Sequence, residues 1–180
     1  MNILNKIDSL MFCMAKVSIF ICMFLITINA AMRYLFNKPL TGTYEFIELF
    51  LMVILVFLSL SYTWKLKGFI SITVLFNKFP LLIKNLIYFG IIILGVCFFS
   101  LIGYEGYATT VEKWLNNEVS SGVIPWPLFL STVWVPLGCL MIVLRMFLEL
   151  VIGVRNIFSI GIRSDIFEMQ DEIYSNEELE

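Results

Sequence analysis

The residues with chemical potential in this chain are charged groups placed in or beside long apolar runs. Glu45 and Glu48 stand three apart, and Arg145 and Glu149 stand four apart. Lys16 lies inside the first apolar run and Arg33 closes it. Spacings of three and four put side chains on one helix face. Within hydrocarbon, such groups serve as a proton or ion relay, or as pairs that hold helices together. A relay needs an acid near the middle of the bilayer. Every acid here falls near the end of an apolar run, so the pairs read as structural glue.

Other chemistries lack their parts. The sequence has no histidine, the ligand that haem b and most membrane zinc sites depend on. Cys13, Cys22, Cys97 and Cys139 sit in apolar stretches without a C-x-x-C pair, and such thiols behave as small hydrophobes. Neither a phosphate-binding Gly-rich loop nor G-x-S-x-G nor H-E-x-x-H occurs. The expectation is no enzyme, no cofactor, no metal and no nucleic acid.

These groups are positioned by membrane helices. Of 180 residues, 60% are hydrophobic, and the mean hydropathy is +0.93. A soluble domain of this length has too little interior to hide that surface, whereas a bilayer absorbs it. Crossing roughly 30 Å of hydrocarbon takes about 20 apolar residues. Four segments qualify, at about 10–32, 45–64, 83–107 and 127–151. Without water to bond the backbone, these must be helices. Reading residues 1–31 instead as a cleaved leader is disfavoured, because Ile28 and Asn29 stand where small residues would precede a cut.

Lys6, Lys65, Lys67, Lys78, Lys84, Arg155 and Arg163 fall on one side of the four spans. Only Arg33, Lys38 and Lys113 fall on the other. The positive-inside rule therefore places both termini in the cytoplasm. The connection "KLKGFISITVLFNKFPLLIK" is apolar and rimmed by lysines, which suits an interfacial amphipathic segment that Pro80 would end. Seven of the fourteen acids lie in the last sixteen residues, "DIFEMQDEIYSNEELE", a solvated end. The predicted organisation is a cytoplasmic N-terminus over 1–9, a four-helix transmembrane domain over 10–155 and an acidic cytoplasmic tail over 156–180.

Two charge groupings follow from this topology. At the outer side, a short connector brings Arg33 to the depth of Glu45 and Glu48. An Arg33–Glu48 bridge is the expectation, against a plain headgroup-level pair, with Glu45 and Glu105 as other possible partners. On the cytoplasmic side, Lys16, Glu149 and Arg145 form a predicted cluster; snorkelling of Lys16 to the interface is the other reading. Trp126, between Pro125 and Pro127, reads as an interfacial anchor, with docking duty as its alternative. Membrane lipid is an implied partner throughout.

The stretch "NAAMRYLFNKPLTGTYEFIELFLMVILVFLSLSYTWKLKG" resembles the first half of the small DctQ-type membrane subunit of TRAP (tripartite ATP-independent periplasmic) transporters. The resemblance rests on an Arg-aromatic run from Arg33, on Asn37-Lys38-Pro39, and on Glu45 and Glu48 opening the second span. "SSGVIPWPLFLSTVWVPLG" is similar to that family's start of span four, with a Pro-x-Gly inside it. The chain departs from the family after Gly68, where Phe69 to Val74 hold neither the usual His nor the Val-Asp pair.

The resemblance implies an all-α protein of the bacterial inner membrane. It would be the small subunit of a sodium-coupled symporter for an organic acid. It would scaffold a large multi-span transport subunit and help dock a periplasmic substrate-binding protein. A stand-alone four-helix membrane protein with a signalling, channel or chaperone role is the alternative.

Overall fold

The computed structural model describes residues 2–66 and 81–160. The apolar runs form four helical spans, each long and apolar enough to cross a membrane. Span one is α1, Asn2–Phe36. Its 35 residues reach about 50 Å at 1.5 Å per residue, well beyond a hydrocarbon core. The sequence pattern placed its start near residue 10. The added turns carry Asn5 and Asp8 into the bundle. Asn37 ends α1 in the left-handed conformation, at φ 51°.

Span two is composite. It opens as α2 (Thr43–Phe46), widens into a π turn over Ile47–Leu51 and continues as α3 (Met52–Lys65). A π turn breaks the regular i to i−4 ladder, and hydrocarbon offers no water to repair it. Neighbouring helices supply the donors. The Ser131 hydroxyl donates to the Leu49 carbonyl, and the Ser18 hydroxyl donates to the Leu51 carbonyl at 2.9 Å.

Span three is α4, Leu81–Leu115. It closes around Asn117, at φ 49°, with the Glu118 N–H returned to the Lys113 carbonyl at 3.1 Å. That is the bonding of a Schellman cap. The chain then folds into a small clip, with the Ser120 N–H on the Trp126 carbonyl at 2.8 Å and the Leu128 N–H on the Glu118 carbonyl at 3.1 Å. Span four is α5 (Leu128–Thr132) followed by α6 (Trp134–Ile160). Its interruption at Val133 has a covalent cause: Pro136 has no N–H to offer the Thr132 carbonyl four residues back.

The spans pack in the order one, two, four, three, with spans two and four in the middle. Accordingly 28% and 39% of the apolar 18-residue stretch of the second and fourth spans is buried, against 11% for the first and third. Spans two and four approach closely at Gly138, where a Cβ would come within 2.3 Å of the Phe57 carbonyl oxygen. Only glycine fits there, which explains the Pro136-x-Gly138 pattern physically. Spans three and four interlock through Gly95 against Met146 and Gly103 against Cys139. Ile92, Ile142 and Met146 form the buried core beside them. Gly90, by contrast, faces open space.

The predicted interfacial segment falls largely on residues 67–80, outside the described residues. Of the predicted tail over 156–180, residues 156–160 continue α6, and the rest lies outside the described residues.

Candidate interaction sites at the two ends of the bundle

The bundle has two ends, a terminal face bearing both ends of the described chain and a hairpin face bearing the 37–42 and 116–127 connections. Polar chemistry concentrates at each.

At the terminal face, each span contributes polar residues at helical spacing: Asn5 and Asp8, Ser61 and Trp64, Asn85 and Tyr88, Arg145 and Glu149. Arg145 forms an ion pair with Asp8, and both are at least 97% buried. A second guanidinium nitrogen of Arg145 donates to Asn5 Oδ1 at 2.8 Å. The Ser61 hydroxyl donates to the other Asp8 oxygen at 2.8 Å. One turn along α6, Glu149 is also buried. Its Oε2 accepts from Trp64 Nε1 at 2.8 Å and from the Tyr88 hydroxyl at 3.3 Å. Asn85 is buried at the same level. The four spans are thus joined by one polar layer whose acids are held by donors from neighbouring helices. That satisfies the rule that buried charge must be paired and hydrogen-bonded.

The sequence pattern groups Arg145 and Glu149 with Lys16. The structure replaces Lys16 with Asp8. Lys16 follows the buried Ala15 and so points about 100° away around α1. It is exposed, with its ammonium 4.6 Å above the Phe12 ring.

At the hairpin face the 116–127 clip folds over the start of span two. Glu45 Oε1 accepts the Val123 N–H at 3.2 Å. Gly122 lies so close that a Cβ would fall 1.8 Å from Glu45 Oε2. Ile124 packs on Gly42, where a Cβ would come within 2.8 Å of its Cδ1. Gly42 has φ 80°, which glycine adopts without strain. Trp126 turns inward, its ring 5.3 Å from Phe46 and 6.0 Å from Phe50. It clamps the clip to span two. Glu45 Oε2 and Trp126 Nε1 are buried without hydrogen-bond partners among the described residues.

The expected Arg33–Glu48 bridge does not form. Arg33 and Glu48 are both exposed, and Arg33 makes no ion pair with Glu45, Glu48 or Glu105. Two features separate them. The end of α1 projects past the start of span two, and Glu48 lies in the π turn, which shifts it off the face of Glu45. Asn29, one turn below Arg33 and buried, does the bracing instead. Its Oδ1 accepts the Leu40 N–H at 2.9 Å. That bond pins the connection containing Pro39, and the Thr43 hydroxyl holds the Leu40 carbonyl at 3.0 Å.

Sequence reasoning missed Asp8, Ser18, Ser61 and Ser131. A usable signal existed for two of them: Asp8 with Asn5, and Ser61 with Trp64, repeat the polar three-residue spacing at the terminal end of each span. Ser18 and Ser131 carry no such mark. Among the described residues no group of three or more His, Cys, Asp or Glu is placed to hold a metal ion.

A family model described as tripartite ATP-independent periplasmic transporters, DctQ component, matches residues 22–156. That interval takes in both hairpin-face connections, the composite second span and the Arg145–Glu149 pair. No curated protein matches the chain.

Proposed function

Because the chain belongs to the DctQ component family of tripartite ATP-independent periplasmic transporters, we propose that it is the small subunit of a sodium-coupled organic-acid importer and braces a large transport subunit in the inner membrane. The observation that carries this reading is where the charge lies. The ion pair and hydrogen bonds of Asp8, Arg145 and Glu149 tie helices to one another at one end of the bundle. The buried acids of the middle spans lie at their ends, which suits a scaffold and leaves translocation to a partner.

In this reading both termini are cytoplasmic, as the lysine and arginine distribution favours, and the hairpin face looks outward. The clip held by Glu45 and Trp126 then offers a preformed surface to a periplasmic substrate-binding protein. The clip is fixed by Glu45 and the aromatic cluster, and the neighbouring 37–42 connection by Asn29, so docking would require little ordering.

Cells lacking this chain test the role. The expected result is loss of sodium-gradient-driven carboxylate uptake together with a fall in the large subunit retained in the membrane. Restoring the full chain should restore both. Equal uptake and equal large-subunit content with and without the chain would contradict the reading.

A further inference from the structure

Span one carries a basic residue on its outward side at the middle of the membrane. The Ser18–Leu51 hydrogen bond gives the depth. Leu51 lies near the midpoint of the Thr43–Lys65 span, and Lys16 is two residues, about 3 Å, from that level. Lys16 is exposed and no acid among the described residues pairs with it. Its ammonium leans back about one turn over Phe12, a weak contact for a charge still within the apolar run. A lysine facing lipid at mid-membrane is costly, and such residues ordinarily face protein or a wet cavity.

The surrounding pattern fits a helix. Ser9, Cys13, Lys16, Phe20, Met23 and Thr27 are all exposed on α1 and recur at spacings of four and three. That is the seam a packed helix requires. The exposed side of α4 differs: from Leu86 to Tyr104 it has no charged residue, as lipid demands.

We propose that this face of α1 is the interface with the large subunit, and that a transmembrane helix of that subunit presents an Asp or Glu to Lys16. The proposal rests on the subunit role argued above and specifies the surface and partner chemistry for it. The face of α4 is then left to lipid.

The test uses native membranes containing the full chain. Dicyclohexylcarbodiimide converts carboxyl groups within hydrocarbon to O-acylisoureas, and an adjacent amine attacks the acyl carbon to form an amide, with dicyclohexylurea as the leaving group. Digestion and mass spectrometry should recover a peptide joining Lys16 to an Asp or Glu in a transmembrane segment of the large subunit. Lys16→Arg should abolish that product while the partner still co-purifies. Lys16→Glu should lower partner recovery at least about tenfold, because a buried opposite charge becomes a like charge. Unchanged recovery with Lys16→Glu overturns the proposal. So does co-purification of the partner with Lys16 free of any amide link and bound phospholipid lost in the Lys16 variants, which would assign the lysine to a lipid phosphate. Failure of the wild-type chain to bring down any large subunit overturns the subunit role itself, and is distinguished by that control.

Discussion

Arg145 and Asp8 are 137 residues apart in sequence and form a buried ion pair that joins the fourth span to the start of the first. Removing one member strands the other away from water. Asp8→Leu and Arg145→Leu should each destabilise the bundle by about 3–5 kcal/mol. The Asp8→Leu/Arg145→Leu double variant should lose less than either single change. Thermal unfolding in detergent measures all three, and additive losses would show that the pair is not a unit.

The π turn should depend on two serines. Ser18→Ala and Ser131→Ala each remove a hydroxyl that donates to a carbonyl of the π turn, where no water replaces it. Membrane hydrogen bonds of this kind contribute about 0.6 kcal/mol on average and up to about 1.7. The two carbonyls belong to one turn, so the double variant should lose more than the sum of the singles. Strict additivity would indicate that the turn holds its shape without them.

Glycine positions give a sharper contrast. Gly138→Ala drives a methyl group into the Phe57 carbonyl, forcing spans two and four apart at about 1–3 kcal/mol. Gly90→Ala meets nothing within 4 Å and should stay within about 0.5 kcal/mol of the parent. Unfolding midpoints compared in one detergent check both, and similar effects at the two sites would contradict the packing order described.

The hairpin face separates a held acid from a free base. Arg33→Ala should change stability by less than about 0.5 kcal/mol, because Arg33 pairs with no neighbouring acid. Gly122→Ala should expel the Glu45 carboxylate from the clip and expose residues 118–127 to protease. Protection unchanged by Gly122→Ala would mean that the clip is held elsewhere.

The four spans were legible from hydropathy, since crossing hydrocarbon leaves no other use for such long apolar runs. Arg145 and Glu149 were legible through their four-residue spacing. Asp8 was not assigned to the bundle because the apolar window opens only near residue 10, and the polar first turns of α1 read as solvent. The Arg33 bridge failed for a different reason: short connectors bring helix ends together but do not set which faces meet. The π turn is invisible locally, because Ile47–Leu51 would suit a regular helix equally well. The Ser18 and Ser131 hydroxyls that reach its carbonyls come from other spans, a tertiary fact that no local pattern contains.

Whether this chain is a subunit and not a self-sufficient protein is decided by gentle affinity purification from native membranes with mass spectrometry of what accompanies it. A large multi-span membrane protein should come down with it in one-to-one ratio. Recovery of the chain alone across several mild detergents would contradict the subunit role.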